Sequence, residues 1–384
     1  MNLTKGQSDG LEIAIDRYYN GAPYTCISGY AGTGKSTLVQ FIIRALGLRD
    51  EEVAYVAYTG RASLVLRQKN CPNAQTAHKC VYHSRKLPNG RYSHRPKKKY
   101  ELEQFKLIVV DEVSMLPKKM WDLLLSYGIH VIALGDNMQL PPVDKNEDNH
   151  VLDNPHILLT EIMRQALDNE IIDWSFKIRE GEPLKPFDGK DVKIIPKSKL
   201  STGMLKWADQ ILCSTNNTRK EINELVRKIK NFADKPQEGD KVICCKNYWD
   251  ILNDVDEPLI NGTIGTIRNL WESYDFINQQ KVLYCDFYSE NNPELPFEGL
   301  KLNYDLLVNQ SIEVPKDYYR DKDFETLPLD FNYGNCITTW KAQGSSWDKI
   351  VAIEEKFPFK EEEHIKELYT KVTRANKKLV LVMK

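Results

Sequence analysis

No run of apolar residues in this chain approaches the ~18 needed to cross a membrane as a helix. The start, Met1 to Gln7, carries no apolar segment of the secretory kind. The eight cysteines include no C-x-x-C pair, which argues against a disulfide scaffold and suits a reducing compartment. Charge of one sign is not in excess: 53 Lys and Arg against 54 Asp and Glu leave a net charge of −1. The whole chain is therefore no polycation, and a nucleic-acid site must be a local basic surface. Solenoid repeats and long low-complexity tracts are also missing. What remains is an ordinary globular composition, 41% hydrophobic and 28% charged, over 384 residues. That length allows two or three domains and a sizeable core.

The most specific local pattern is Gly29-Tyr30-Ala31-Gly32-Thr33-Gly34-Lys35-Ser36, followed by Thr37. It reads G-x-x-x-x-G-K-S, a phosphate-binding loop. A glycine-rich turn leaves backbone N–H groups free to wrap phosphate oxygens, and the helix that follows points its positive end at the same anion. Lys35 is placed for the β- and γ-phosphates, and the Ser36 hydroxyl for Mg²⁺. Tyr24 to Ser28 before the loop is β-rich, and Leu38 to Ile43 after it continues a helical pattern. A plain glycine turn would not require Lys-Ser at this offset.

Strand and helix signals alternate through the first part. Strands are expected at Val53 to Tyr58, Leu107 to Val110 and Ile129 to Leu134, with helices at Arg61 to Gln68 and Lys118 to Tyr127. Apolar strands alternating with helices predict a buried parallel sheet with helices on both faces, an α/β fold. Asp111-Glu112 and Gly135-Asp136 then fall at strand C-terminal ends, where ligands bind in open α/β sheets. A second alternation comprises a strand at Gln210 to Ser214, a helix at Asn217 to Lys230, a strand at Ile350 to Ile353, a helix at Glu361 to Thr373 and a final strand at Leu379 to Met383. Residues 240–330 differ, with short β-type runs separated by Asn-Gly and Pro signals, and predict a small inserted β-module.

Asp111-Glu112 ends an apolar strand downstream of the phosphate loop. In that context one acid holds Mg²⁺ and the next polarises an attacking water. The run Asp111-Glu112-Val113-Ser114-Met115, with Gly135-Asp136-Asn137-Met138-Gln139-Leu140-Pro141-Pro142, resembles motifs II and III of superfamily 1 helicases. The resemblance is closest to the RecD-like and phage Dda-like group, superfamily 1B. Other motifs follow in family order. Leu3-Thr4-x-x-Gln7 resembles the Q motif, Ala57 to Ala62 motif Ia, and Thr76-Ala77-His78 motif Ib. Leu159 to Gln165 resembles motif IV, Ile337 to Ser345 motif V, and Leu368 to Ala375 motif VI.

The resemblance implies two RecA-like parallel-sheet domains with ATP between them. Domain 1A would take residues 1–80 and 101–160, a basic hairpin 81–100, domain 2A residues 161–239 and 331–384, and a β-barrel-like insertion 240–330. It implies that Gln7 reads the adenine edge, that Gly29, Ala31, Gly32, Thr33, Gly34, Lys35, Ser36, Thr37 and Gly344 bind ATP, and that Ser36 and Asp111 hold Mg²⁺. Glu112 would activate water. Gln139 would sense the γ-phosphate, and Arg164 and Arg374 would stabilise its developing charge. Arginine suits that role as an always-charged, rigid fork of donors.

The implied activity is an ATP-dependent helicase translocating on single-stranded DNA, 5′-to-3′, and acting on forked or tailed duplexes. Thr59, Arg61, Thr76, His78, Thr338, Trp340 and Lys341 fall in the DNA-facing motifs, with Asn216 and Arg219 as further contacts. Trp340 departs from the histidine that members often carry there; it stacks a base or belongs to the core. Arg85 to Lys99 contains seven Lys or Arg and no acid, with a hairpin signal at Asn89-Gly90 and Arg91 beside it. It occupies the slot of the family's strand-splitting pin; a solvated basic loop is the plainer alternative. Tyr248, Trp249 and Trp271 stack bases or fill the β-module. Cys71, His78, Cys80 and His83 match no standard zinc spacing.

Other readings stay open at this stage. One is an ATP-switched strand-binding subunit of a larger recombination or nuclease complex. Another is a phosphate-loop enzyme acting on a small molecule, and a third takes RNA as the track. The length suggests a stand-alone monomer in the cytoplasm of a bacterial or phage-infected cell, working beside single-strand-binding, replication or recombination proteins and away from membranes.

Overall fold

The computed structural model describes residues 3–68, 71, 73–87, 92–141, 147–161, 169–254, 257–311, 326–355 and 360–384. Contacts divide it into two units. The first takes Met1–Tyr82, Pro96–Lys199 and Ala342–Lys384; the second takes His83–Arg95 and Leu200–Lys341.

The first unit is built on a six-stranded parallel sheet. Its strand order is Gln75–Thr76, Val53–Ala57, Leu107–Asp111, His130–Gly135, Tyr24–Gly29 and Ile157–Leu159. The near-continuous apolar runs have a direct cause. Side chains alternate along a strand, so odd and even residues face opposite ways. Ile27, Tyr55, Val109 and Ile132 enter one buried cluster with Leu38 and Ile42 of the helix Lys35–Ala45. Cys26, Val56, Val110 and Ala133 enter the other, with Trp121 and Leu124 of the helix Lys118–Ser126. With both faces covered, no strand needs polar alternation. The register pairs Ser28 with Gly135 and Ala57 with Asp111, so the phosphate loop and both acidic turns leave the same edge of the sheet.

A second sheet in this unit pairs Trp347–Ile353 with Ala375–Met383 and that strand with Val192–Pro196, all parallel, and closes antiparallel on Phe187–Asp188. The second unit has a parallel pair, Gln210–Cys213 with Cys336–Thr338. It also has an antiparallel five-stranded sheet in the order Phe297–Asn303, Gln280–Ser289, Ile264–Asp275, Lys241–Cys244 and Phe331–Tyr333. Its strands lie between Lys241 and Tyr333, the stretch in which an inserted β-module was expected over 240–330. The central strand of the sheet, Ile264–Asp275, is 12 residues long.

The basic segment forms a two-stranded sheet of Tyr82–Lys86 and Tyr92–Pro96, with Ser84 Oγ 2.8 Å from His94 Nδ1. Asn89 and Gly90, where a hairpin turn was expected, and Arg91 lie outside the described residues. The sequence reading assigned 161–199 and 342–384 to a second domain, whereas contacts group them with the phosphate-loop sheet. Side chains of the helix Glu361–Val372 and of Arg374 bond directly to the loops at the edge of that sheet.

Candidate functional site

The phosphate loop connects the strand Tyr24–Gly29 to the helix Lys35–Ala45. Gly32 and Gly34 both have φ of +79°, where a Cβ would be strained, so the turn depends on glycine at these two places. Gly34 caps the helix and, having no side chain, offers no side-chain acceptor to its first-turn N–H groups. Those groups are the donors a phosphate needs. Lys35 donates its Nζ to Gly29 O at 2.5 Å and Tyr30 O at 3.2 Å. Thr33 is buried and its hydroxyl also donates to Tyr30 O, at 2.8 Å. Ser36 is exposed at the loop exit.

Gln7 is buried on the helix Lys5–Tyr19, an element that sequence reasoning did not pick out. Thr4 caps that helix, and Gln7 Oε1 accepts from Thr4 N at 3.1 Å. Gln7 Nε2 donates to Thr33 O at 3.1 Å, so this glutamine braces the phosphate loop from behind.

Four charged groups converge at the sheet edge. Burial pulls the Lys35 ammonium below its usual value, against the neighbouring carboxylates of Asp136, Asp111 and Glu112, which favour the charge. Burial pushes the Asp136 carboxyl up, opposed chiefly by Lys35 and by the Tyr369 hydroxyl. Asp136 takes Tyr369 Oη at 2.6 Å and Met138 N at 3.0 Å. The same Tyr369 hydroxyl accepts from Ala31 N in the phosphate loop at 3.2 Å. Tyr369 thus ties the helix Glu361–Val372 to two of the loops at once. Thr370 Oγ1 adds a bond from Leu140 N at 3.1 Å, and Gln343 Nε2 donates to Leu140 O at 2.8 Å. These two bonds pin the turn that carries Gln139, which is half-buried and whose N–H bonds Asp136 O.

Asp111 accepts Glu112 N on Oδ1 at 3.0 Å. Glu112 itself lies in the left-handed region, at φ 50° and ψ 51°. For a non-glycine residue this stores roughly 1–3 kcal/mol of strain, a pattern that gathers at functional sites. The turn aims its carboxylate at Arg374, whose Nη1 stands 3.2 Å from Glu112 Oε1. The other oxygen, Oε2, is buried and has no hydrogen-bond partner among the described residues. A buried carboxylate oxygen without a donor is costly, and it fits a site that receives a water or a cation's hydration shell. Gly344 comes close to the same group: at φ +72°, a Cβ there would sit 2.9 Å from Thr59 Oγ1 and 3.6 Å from Glu112 Oε2. The donors, the acids and the orphaned oxygen together fit a nucleoside triphosphate with Mg²⁺.

The expected strand contacts divide into three groups. Thr59 and Thr76 cap local structure: Thr59 Oγ1 accepts Ala62 N, and Thr76 Oγ1 accepts Lys79 N, both at 3.2 Å. His78 is half-buried, with its ring 6.1 Å from that of Tyr58 and 5.9 Å from that of Tyr82. In the second unit Thr338 is buried, Trp340 is half-buried, and Lys341 is exposed with its Nζ 2.6 Å from Asn261 Oδ1. Arg219 is interior: Nη2 donates to Gln310 O at 2.8 Å and Nε to Asn216 Oδ1 at 3.2 Å, which also engages Asn216. Arg164, Arg91 and the Arg61 side chain lie outside the described residues.

Of the aromatics, Tyr248 is half-buried and its hydroxyl accepts Asp330 N at 2.6 Å. Trp271 is 52% exposed and stacks on Tyr284 at 5.1 Å. Cys71 and Cys80 are buried thiols, Cys80 pushed up to about 12 by burial. Among the described residues no group of three or more His, Cys, Asp and Glu is placed to hold a metal ion, and no helix is long and apolar enough to cross a membrane. Sequence reasoning placed Asp136 at a ligand-binding strand end without giving it a role, did not single out Tyr369 although it stands inside a quoted motif, and had no signal at all for Arg179.

Residues 2–192 match the family described as an AAA domain, and residues 333–382 match the UvrD-like helicase C-terminal domain. The ATP-dependent DNA helicase dda of Enterobacteria phage T4 is 26% identical over 250 residues, which cover 59% of this chain and 57% of that protein. The ATP-dependent RecD2 DNA helicase of Deinococcus radiodurans is 33% identical over 187 residues, 46% of this chain and 24% of that protein. The chain therefore covers less than two thirds of either relative. A crystal structure of the Pif1 helicase from Bacteroides, in complex with ADP-AlF3 and single-stranded DNA, matches with a TM-score of 0.55 at 18% identity. That match covers 99% of this chain and 92% of the other.

Proposed function

Because the chain belongs to the superfamily 1B helicases, in the RecD-like and Dda-like group, we propose that it is an ATP-driven DNA helicase. It tracks along single-stranded DNA in the 5′-to-3′ direction and separates forked or tailed duplexes. The observation that carries this reading is the convergence of Lys35, Asp111, Glu112, Asp136 and Arg374 at one sheet edge, closed by the Tyr369 bridge.

Each group has a role that its position supports. The N–H groups of the helix start and Lys35 hold the phosphates, releasing the lysine from the Gly29 and Tyr30 carbonyls it now contacts. Ser36 and Asp111 would hold Mg²⁺, which supplies charge neutralisation at the transferring phosphate. Glu112 orients the attacking water through its unpartnered oxygen. Arg374 leaves Glu112 for the γ-phosphate and stabilises the charge that develops there. Gln139, in a turn pinned by Thr370 and Gln343, transmits that change to the strand-binding elements. Gln7 supports the loop and, through it, the adenine end.

On this reading the four-part domain division of the family applies. Residues 1–80 with 101–160 and residues 161–239 with 331–384 form the two motor domains, 81–100 the pin and 240–330 the strand-facing module. Lys341 and the half-buried Trp340 then border the DNA track, and the stacked pair Trp271 and Tyr284 presents a platform for bases. The function is tested by measuring ATP turnover with and without single-stranded DNA and RNA, together with strand separation on duplexes tailed at the 5′ or the 3′ end. DNA-stimulated turnover with separation of the 5′-tailed duplex supports the proposal. Turnover unaffected by nucleic acid contradicts it.

A further inference from the structure

Arg179 is the last residue of the helix Glu170–Arg179. Ile171, Trp174, Ser175 and Ile178 form the buried stripe of that helix, and Asn169 caps its start by accepting Ile171 N at 2.9 Å. The helix is thereby held firmly, and its last turn delivers Phe176 and Arg179 to the phosphate loop. The Arg179 guanidinium carbon lies 3.7 Å from the centre of the Tyr30 ring and 4.3 Å from that of Phe176. Tyr30 and Phe176 meet edge to face at 5.6 Å, so the two rings and the cation make one cluster. Tyr30 is the second residue of the phosphate loop, and its carbonyl is one of the two that hold Lys35.

The donors of this guanidinium are unevenly satisfied. Nε and Nη2 both bond Glu180 Oε1, at 3.2 Å and 2.6 Å. Nη1 is buried and has no acceptor among the described residues. The side chain is 15% exposed, so the missing acceptor is not simply bulk water. A buried cationic donor without an acceptor is expensive, and one beside an anion-binding loop is best explained by an acceptor that arrives with the ligand. Burial pushes the Tyr369 hydroxyl up, and the Arg179 charge lies near enough to oppose that shift. The same hydroxyl bonds Ala31 N in the phosphate loop and Asp136, which neighbours Lys35. Gln7, on the expected adenine side, contacts Thr33.

We propose that Arg179 is a nucleotide-binding residue whose Nη1 donates to the terminal phosphates of a bound nucleoside triphosphate, a cation additional to Lys35 and Arg374. The inference rests on the ATPase reading above and adds a residue that none of the motifs contains. The rings of Tyr30 and Phe176 hold the guanidinium plane in place, so the donor is preorganised and little side-chain freedom is lost on binding.

The test is equilibrium titration of the full chain with a non-hydrolysable ATP analogue, ADP and AMP, each with Mg²⁺. Arg179→Met keeps the stem that covers the rings and removes the donors. It should weaken the triphosphate analogue at least tenfold, leave AMP unchanged, and keep the cooperative melt of the parent. Arg179→Gln, smaller and still polar, should show the same selective loss, and it serves if the methionine variant melts early. Parent-like affinity for the triphosphate in either folded variant overturns the inference and leaves the ATPase reading intact. A parent chain that binds none of the three nucleotides overturns both.

Discussion

Arg374 Nη1 and Glu112 Oε1 stand 3.2 Å apart, and the arginine side chain is almost wholly buried. The residue proposed to stabilise the γ-phosphate therefore holds the residue proposed to activate water. In this arrangement neither is free for its task. Nucleotide entry would give Arg374 a stronger acceptor and leave Glu112 to its water, so hydrolysis waits for the triphosphate.

Replacing Arg374 with alanine separates these two effects. It should lower the maximal ATP turnover by about 10³-fold or more, the magnitude typical of an arginine finger. Nucleotide affinity should change far less, because the phosphate loop supplies most of the binding. Steady-state kinetics against direct titration of an ATP analogue checks this. A variant with equal losses in both would show that Arg374 only binds.

Gly344→Ala tests the close approach behind Glu112. The new methyl group would meet Thr59 Oγ1 at 2.9 Å and Ala62 Cβ at 3.1 Å, at a φ of +72°. The backbone alone costs roughly 1–2 kcal/mol, and the contact with Thr59 adds to it. A lowered melting temperature with a reduced turnover number is expected. A variant as stable as the parent would mean that this segment rearranges freely.

Tyr369→Phe removes one hydroxyl that serves two loops, Asp136 Oδ2 at 2.6 Å and Ala31 N at 3.2 Å. Leaving a buried carboxylate short of a donor costs about 1–3 kcal/mol. The expected result is lower thermal stability, with the deficit reduced when Asp136→Asn is added, since the two residues act as one bonded pair. Additive losses in the double variant would contradict the bridge.

Much of this site was legible in the sequence because its chemistry is local. The glycines at 32 and 34, Lys35 and the acids at 111 and 112 are fixed by spacing within single turns, and apolar strands on either side announced the parallel sheet. The β character of 240–330 was visible through its turn signals, but the full length of the strand Ile264–Asp275 was not, because its distal part, Glu272 to Tyr274, is exposed and reads as polar. Pairings between distant elements were not legible. Nothing in the neighbourhood of Arg179 marks it as a partner of Tyr30, and Gln7 as a brace on Thr33 depends on a helix whose mean hydropathy is low. Burial of Arg219 against Gln310 is another case, since an arginine on an amphipathic helix reads as exposed until its partner is known.

The basic hairpin carries a prediction about coupling. Deleting residues 88–95 should leave DNA-stimulated ATP turnover within about twofold of the parent, because the phosphate site lies on other elements, and should abolish strand separation. Gel-resolved unwinding alongside phosphate release measures both. Unwinding that survives the deletion would show the segment to be a solvated loop.

The most direct measurement of the central claim is strand separation on a duplex with a 5′ single-stranded tail, comparing the parent chain with Glu112→Gln at saturating ATP and Mg²⁺. The account predicts that the parent separates the strands and turns over ATP, and that the variant binds the ATP analogue normally but does neither. Parent-level turnover by the variant, or a parent that hydrolyses ATP on DNA without separating either the 5′-tailed or a 3′-tailed duplex, would contradict it.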